Sequence, residues 1–170
     1  MYQVHSGQLD SLGLLYDRYQ SQLYGFFTSM TQDKELSADL VQNVFYRLLK
    51  YRSQFRGGSF KTWMFHIARN VLNDQYKRKQ KIINSSLDDY KEYVKDEKYT
   101  DDDLHRREDI HQLNKAMAAL SDDKREILLL SKYQDKNYKE IAEILGTTEG
   151  NVKVKVFRAL NDLRALYHQV

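Results

Sequence analysis

Proline is entirely absent from the 170 residues of this chain, and that absence limits the fold more than any other feature. Proline ordinarily makes up about 5% of a protein and interrupts a helix wherever it falls inside one. The chain also contains only seven glycines. A sequence with so few helix-breaking residues is predicted to be mostly α-helical, and its length suffices for one ordinary domain or two small ones.

Several classes of protein are excluded by residues that the chain lacks. Without cysteine there is no disulfide framework, thiolate nucleophile or cysteine metal site. The longest wholly aliphatic run is Ile127–Leu130, which is far too short for a membrane span. Residues 1–10 lack a basic patch followed by an apolar run, so no signal peptide is predicted. We therefore expect a soluble, cytoplasmic protein without membrane insertion.

The residue groups that indicate catalysis are missing as well. None of the five histidines pairs with another histidine or a carboxylate in a metal-binding motif. Gly57-Gly58 is not part of a phosphate-binding loop, because the sequence has no GxxxxGK[ST] motif there. No nucleophile and base stand at a spacing that predicts a catalytic pair. We predict no enzymatic activity, no metal and no cofactor.

Charge is distributed unevenly along a chain whose formal net charge is only +3. Residues 47–81 carry ten basic and one acidic side chain, whereas residues 87–109 carry five basic and ten acidic ones. Long stretches of one sign indicate an interaction surface or a solvated linker, because like charges repel. The acidic stretch lacks apolar periodicity and is predicted to be a linker, residues 82–109. It divides the chain into two small helical domains, residues 1–81 and 110–170.

The first domain is predicted to contain three helices, because apolar residues recur at three- and four-residue spacing over about residues 8–30, 35–52 and 63–80. In the second helix, an apolar stripe with Ala38 and Val41 lies opposite a polar stripe with Asp39, Gln42 and Asn43. The third helix follows the Gly57-Gly58 turn, and Thr62 is its predicted N-cap.

One face of the third helix carries side chains suited to nucleic acids. Arginine and asparagine present donor forks that match base edges, and a basic helix end suits phosphates. The stripe consists of His66, Arg69, Asn70, Asn73 and Lys77, and the basic end continues through Arg78 to Lys81. Flat faces for unstacked bases are offered by Phe60, Trp63, Phe65 and Tyr76. The alternative is that the aromatic side chains form core and the stripe is plain surface.

The second domain ends in a predicted helix-turn-helix. A short helix begins near Asn137 and ends at Gly146, and a longer helix follows the turn formed by residues 147–149. In this motif the second helix enters the major groove with its N-terminal residues on base edges. Here those residues are Asn151, Lys153, Val154, Lys155 and Arg158. A generic helical hairpin is the alternative.

Two ordered motifs resemble the conserved second and fourth regions of bacterial extracytoplasmic-function (ECF) sigma factors. The first motif comprises Ala38–Phe45, Phe55–Trp63 and Ile67–Asn70. The second comprises Tyr138–Gly146, Gly150–Lys153 and Phe157–Ala159. The resemblance covers roughly residues 10–80 and 110–166.

This resemblance implies a function. ECF sigma factors bind core RNA polymerase and direct it to promoter DNA. Their N-terminal domain captures the −10 element and helps to melt it, while their C-terminal domain reads the −35 element. An anti-sigma factor is expected as a further partner. The family supplies recognition and the polymerase supplies the chemistry.

The resemblance also assigns roles to single residues. Asp39, Gln42 and Asn43 match the helix that docks on the polymerase clamp, although the family usually has glutamate where this chain has Asn43. The family usually has threonine at Asn151 and serine at Val154. The −10 contacts are expected from Arg56, Lys61, Trp63, His66, Arg69, Asn70, Asn73, Lys77 and Arg78. The −35 contacts are expected from Thr148, Asn151, Lys153, Val154, Lys155 and Arg158.

Two rival functions fit parts of the pattern. A stand-alone helix-turn-helix regulator with a helical sensor domain would need an effector pocket, whereas residues 1–80 show a basic stripe suited to a DNA strand. An enzyme acting on nucleic acid would need the acid–base or metal residues that the chain lacks. We therefore predict an all-α, two-domain sigma factor of the ECF type.

Overall fold

The computed structural model describes residues 10–85, 104–133 and 137–169, and all the regular elements in these ranges are helical. The all-α prediction is therefore confirmed. The first half contains α1 (Asp10–Thr31), α2 (Lys34–Lys50), a 3₁₀ turn (Arg52–Gln54) and α3 (Phe60–Ser85). The second half contains α4 (Leu104–Ala119), α5 (Asp122–Leu128), a π-helical turn (Leu129–Tyr133), α6 (Tyr138–Leu145) and α7 (Glu149–Tyr167).

Helix α3 begins earlier than the sequence pattern predicts. The Ser59 hydroxyl accepts a hydrogen bond from the Thr62 backbone N–H at 3.2 Å, so Ser59 occupies the capping position. Thr62 is already inside the helix and is buried, so its predicted role as N-cap is wrong. Before it, Gly57 and Gly58 have φ values of 100° and 85°, which other residues rarely adopt. The turn therefore depends on this glycine pair.

The predicted linker differs from the structure at both ends. Helix α3 continues to Ser85 and α4 begins at Leu104, so residues at both edges of the range 82–109 are helical. The central residues 86–103 lie outside the described part of the chain.

Helices α1, α2 and α3 enclose the core of the first half. Fully buried side chains come from all three helices, among them Phe27, Val44 and Phe65. Ala38, predicted to lie on the buried face of α2, is exposed, while its neighbour Ser37 is buried. The buried face includes Leu40 and Val44 as well as Val41 and Phe45, which rotates the apolar stripe away from Ala38.

The helix-turn-helix predicted for the second half is present. Gly146 ends α6 with φ 63°, and its backbone N–H bonds to the Ala142 carbonyl oxygen. The Thr148 side chain then accepts a hydrogen bond from the Asn151 N–H and starts α7. Val152, Val156 and Ala159 are the buried face of α7, which packs on α4, α5 and α6.

The two halves also pack on each other. Helix α3 packs against α6, and α1 packs against α4 and α5. Residues 125–130 are buried consecutively, so the end of α5 and the start of the π-helical turn are covered on every side, while Asp122 and Asp123 in the first turn of α5 are exposed. None of the helices in the described ranges has the length and apolarity needed to cross a membrane.

Candidate nucleic-acid interface

The stripe predicted on α3 is accessible over most of its length. His66 and Asn70 are exposed and stand one turn apart, with Asn70 Nδ2 3.4 Å from His66 Nδ1. Lys77 and Arg78 are exposed further along the helix, and Asn73 is half-buried between them and Asn70. Polar donors therefore follow one face of α3 for about three turns.

A cavity of about 620 Å³ opens beside this stripe. Its lining comes from the end of α2, the 3₁₀ turn, the Gly57-Gly58 loop, α3 and α6. This volume is within the range of about 300–1,000 Å³ typical of small-molecule sites. The lining residues are Arg47, Tyr51, Gln54, Gly57, Gly58, Ser59, Thr62, Trp63, His66, Ile67, Asn70 and Glu143.

Only some of the predicted aromatic faces are open to a base. Trp63 is half-buried at the cavity wall, with ring centroids 5.2 Å from Phe55 and 6.2 Å from Phe60. Phe65 is fully buried edge-on to Phe26, so the prediction that it offers a stacking face is wrong. Of this aromatic set, Trp63 alone lines the cavity.

Tyr76 has a structural contact instead of an open face. Its hydroxyl donates to the Met30 carbonyl oxygen at 3.5 Å. Burial, followed by the nearby Asp122 carboxylate, raises the pKa of Tyr76 to about 12. The hydroxyl therefore keeps its proton and remains a donor at neutral pH.

Arg69, the central basic residue of the stripe, contacts the second half of the chain. Its Nε lies 3.2 Å from Glu126 Oε1 and 3.4 Å from Glu126 Oε2. The Glu126 side chain is 10% exposed and the Arg69 side chain 31%. Burial raises the pKa of Glu126, and Arg69 opposes that effect. Ionised Glu126 is therefore held in an environment that, on balance, disfavours its charge.

The remaining basic positions around the loop have different environments. Arg56 is exposed beside the glycine pair, and Lys61 is half-buried in the first turn of α3. Arg47 of α2 lines the cavity, and its Nη2 bonds to Asp74 Oδ2 of α3 at 2.8 Å. Sequence reasoning did not identify Arg47 as part of this surface.

The start of α7 presents its predicted residues outward. Asn151, Lys153 and Lys155 are exposed, and so are Val154 and Arg158. Lys153 Nζ lies 3.0 Å from Glu149 Oε1, one turn earlier. Thr148 is also exposed, but its hydroxyl oxygen serves as the N-cap at 3.3 Å from the Asn151 nitrogen. Phe157 adds an exposed ring to the same helix, with 66% of the residue accessible.

The predicted docking residues share an accessible face of α2. Asp39 and Gln42 are exposed. Asn43 is half-buried, and its Oδ1 accepts a hydrogen bond from Arg47 Nε at 2.9 Å. A groove of about 390 Å³ between α1 and α2 reaches Gln42.

Glu126 and Glu143, like Arg47, contact this surface but were not identified by sequence reasoning. Glu126 immediately precedes the apolar run Ile127–Leu130. A helix with four consecutive apolar residues is apolar on all sides, so the residue beside that run is expected to be buried too. That signal was available for Glu126, whereas Glu143 is exposed and offers no comparable signal.

The comparisons with known proteins identify both halves. The family model of Sigma-70 region 2 matches residues 15–82, and the model of Sigma-70 region 4 matches residues 110–163. ECF RNA polymerase sigma factor SigM of Bacillus subtilis is 32% identical over 155 residues, covering 91% of this chain and 94% of the relative. SigX of the same organism is 32% identical over 160 residues, covering 91% and 82%.

Two solved structures have the same fold. Sigma factor RpoE from Bartonella quintana, in complex with the anti-sigma factor NepR, is 25% identical with a TM-score of 0.75, covering 92% of this chain and 96% of its own. CnrH, in complex with the cytosolic domain of CnrY, is 21% identical with a TM-score of 0.75, covering 99% and 94%.

The helix-turn-helix and the matches to both sigma-70 regions define a protein that acts in transcription. Both regional models match, and the relatives align over nearly the whole chain. The chain belongs to the ECF subfamily of RNA polymerase sigma factors and directs promoter-specific initiation of transcription by RNA polymerase. The rival reading as a stand-alone regulator is not favoured.

Proposed function

We propose that the two halves divide promoter recognition between them. Residues 1–81 dock on core polymerase and capture the −10 element, and residues 110–170 read the −35 element. Residues 82–109 connect them as an acidic linker. The polymerase carries out catalysis, and this chain contributes recognition alone, inside the cytoplasm where the polymerase works.

The observation that carries the proposal is the cavity beside the α3 stripe. A melting promoter must lose base stacking, which costs a few kcal/mol per step, so the protein has to offer opened bases another environment. Trp63 at the cavity wall provides a flat surface, and base–aromatic stacking is worth about 1–3 kcal/mol. His66 and Asn70 add polar groups at the cavity edge. Lys77 and Arg78, further along α3, suit the phosphates of the same strand.

The −35 element is assigned to the exposed start of α7. A recognition helix reads base edges with its first turns, where Asn151, Lys155 and Arg158 lie. The helix N-terminus beneath Thr148 carries a partial positive charge that favours a phosphate. This combination supports placement of α7 in the major groove.

The partners follow from the exposed α2 face and from the relatives. Asp39 and Gln42 offer a carboxylate and an amide for charge-assisted bonds to core polymerase, with Asn43 beside them. RpoE, a structural neighbour of this chain, is held by the anti-sigma factor NepR. We assign an anti-sigma partner to this chain as well.

The experiment that tests the proposal separates melting from binding. Holoenzyme containing the Arg69→Ala, Asn70→Ala, Asn73→Ala triple variant is assembled on a linear promoter that the wild-type protein selected from a randomised library. Each lost contact to a base or phosphate costs about 1–3 kcal/mol. We therefore expect permanganate footprinting to show at least tenfold less open complex, with polymerase binding and −35 affinity close to normal.

A matched control guards against a general effect of changing α3. Gln80 is an exposed polar residue on the same helix outside the proposed site, and Gln80→Ala should melt the promoter normally. A misfolded first domain would lose melting and polymerase binding together. Unimpaired melting by the triple variant would show that this stripe is only a solvated helix face.

A further inference from the structure

The side-chain amide of Asn151 is held by the turn that precedes α7. Its Nδ2 donates a hydrogen bond to Thr147 Oγ1 at 3.2 Å, whereas its Oδ1 has no hydrogen-bond partner among the described residues. We propose that Thr147 orients this amide so that Asn151 reads an adenine of the −35 element. Thr147 is then a positioning residue, and Asn151 is the residue that specifies the base. This inference rests on the proposed function of α7 and makes it more specific.

The position of Thr147 is fixed by the end of α6. Its backbone N–H donates to the Ala142 carbonyl oxygen at 3.0 Å, a bond that commonly closes a helix at a left-handed glycine, here Gly146. Thr147 is half-buried, whereas Asn151 is exposed. The threonine hydroxyl therefore reaches the first turn of α7 from a turn whose backbone is already hydrogen-bonded.

The backbone of Asn151 is fixed as well. Its N–H donates to Thr148 Oγ1 at 3.3 Å, which is the N-cap bond of α7. Two consecutive threonines thus hold one asparagine, Thr148 by its main chain and Thr147 by its side chain. A side chain held in its binding orientation before DNA arrives loses less conformational entropy when it binds.

The geometry of an amide decides which base such a residue reads. A planar primary amide has one N–H beside its oxygen and a second N–H that points away from it. In the proposed arrangement the second N–H bonds to Thr147, so Oδ1 and the N–H beside it face outward together. Adenine presents the matching N6 donor and N7 acceptor in the major groove. Guanine offers two acceptors there, and cytosine and thymine offer one polar group each, so none of them satisfies both outward groups.

The neighbours of Asn151 on α7 cannot take over this role. Three exposed residues follow it on the same helix face, namely Val154, Lys155 and Arg158. Lysine and arginine side chains only donate hydrogen bonds, and valine forms none. Recognition of a base amino group by this face therefore depends on Asn151 Oδ1.

A promoter library tests the base assignment. Holoenzyme containing the full chain is bound to promoters with a randomised −35 element, and the bound sequences are counted. We expect adenine at one base pair to be favoured at least about fivefold over each other base, the lower end of what a good bidentate contact provides. Asn151→Ala should abolish this preference at that base pair alone. Asn151→Asp has no amide N–H and should move the preference to cytosine, whose N4 donor suits a carboxylate.

The wild-type preference decides the outcome of this experiment. If the base pair that responds to Asn151→Ala favours any base other than adenine in the wild type, the assignment is overturned. The ranking of bases at the other −35 positions is the internal control, because a general loss of DNA binding would not alter one position alone.

Variants of Thr147 test its positioning role. Thr147→Val replaces the hydroxyl with a methyl group, and we expect it to reduce the adenine preference severalfold at the base pair that Asn151 reads. Thr147→Ser retains the hydroxyl and should keep the wild-type preference. An equal loss of affinity for all −35 sequences would mean that Thr147 only stabilises the turn, and an unchanged preference would also remove it from recognition.

The orientation of the amide can be measured without DNA. In nuclear magnetic resonance spectra of the isotope-labelled chain, the two Nδ2 protons of Asn151 give separate signals. Thr147→Val should shift the signal of the proton that points away from Oδ1, because that proton loses its acceptor. The side-chain amide of Asn70, on α3, is the control and should not respond. A larger shift of the proton beside Oδ1 would contradict the proposed orientation.

Failure of this inference differs from failure of the proposed function of α7. If α7 does not read the −35 element, alanine variants of Asn151, Lys155 and Arg158 will all preserve the ranking of −35 sequences. If α7 reads the element but Thr147 does not orient Asn151, Lys155→Ala or Arg158→Ala will change the ranking while Thr147→Val leaves it unchanged.

Discussion

Arg125 Nη1 of α5 donates a hydrogen bond to the Met30 carbonyl oxygen of α1 at 3.2 Å, although 95 residues separate the two in sequence. The same guanidinium donates to the Met117 carbonyl oxygen at 2.8 Å and to that of Leu120 at 2.7 Å. It therefore adds a charged donor to the carbonyl groups at the end of α4, where a helix has few donors of its own, and joins them to the first half.

Replacement of Arg125 should destabilise the fold strongly. Arg125→Ala removes a charged donor from several carbonyl oxygens, and hydrogen bonds to a charged group are worth about 1.5–3 kcal/mol. We expect a loss of about 3 kcal/mol in the free energy of unfolding, measured by urea denaturation. Arg164→Ala, at an exposed arginine of α7, should cost far less. A similar loss in both variants would contradict the role assigned to Arg125.

Glu126 should make stability depend on pH in a defined direction. Because burial raises its pKa above 4.5, the folded chain holds this proton more tightly than the unfolded chain, and its contribution to stability falls as pH rises through that window. We expect Glu126→Gln to be at least as stable as the wild type at pH 7 and to lose that advantage toward pH 4.5. Thermal unfolding of both chains at several pH values measures the difference in stability between them. The other titrating groups are the same in both chains, so their contributions cancel in this difference. The prediction would be contradicted if the wild type became more stable relative to Glu126→Gln as the pH rises.

Substitutions at the start of α7 should change sequence preference. A base-edge contact costs about 1–3 kcal/mol when lost and relaxes specificity, whereas a phosphate contact lowers affinity for all sequences equally. We expect at least one alanine variant of Asn151, Lys155 and Arg158 to change the ranking of −35 variants in holoenzyme binding assays. Lys115→Ala, an exposed lysine of α4, is the control. The prediction fails if all three variants preserve the wild-type ranking.

The α2 face should contribute to polymerase binding without stabilising the fold. Charge-assisted interface bonds can each be worth about 2 kcal/mol or more. We expect the Asp39→Ala/Gln42→Ala chain to bind core polymerase at least tenfold more weakly by fluorescence titration, with unchanged helicity by circular dichroism. Asp123→Ala/Gln80→Ala removes the same two chemical groups at exposed positions on other helices and should bind normally. Equal affinity of the two double variants would remove α2 from the docking surface.

The helices were predictable because burial imposes a periodic pattern on them. Val152, Val156 and Ala159 recur on one side of α7, and the structure buries all three. The error at Ala38 has a physical reason. The alanine side chain is small and gains little free energy from burial, so an alanine is weak evidence for which face of a helix is buried. The cap of α3 was misassigned because Ser59 and Thr62 both carry hydroxyls and stand only three residues apart, and the structure uses Ser59.

The surface residues were harder to interpret because their neighbours come from distant sequence. Arg69 and Glu126 are 57 residues apart, and no local pattern indicates that they meet. The spacing of polar residues correctly predicted that His66 and Asn70 lie on an exposed face of α3. It could not show that another helix packs beside that face, because this depends on how the two halves dock.

The order in which the chain is made gives the packing of α3 on α6 another consequence. Helix α3 is complete at residue 85, whereas α6 ends at residue 145, sixty residues later. At about 5–20 residues per second, a ribosome needs roughly 3–12 s to add them. During that interval the nascent first half presents its cationic helix without the cover that the finished molecule provides. The growing chain is therefore most exposed to stray nucleic acid before its own second half has emerged.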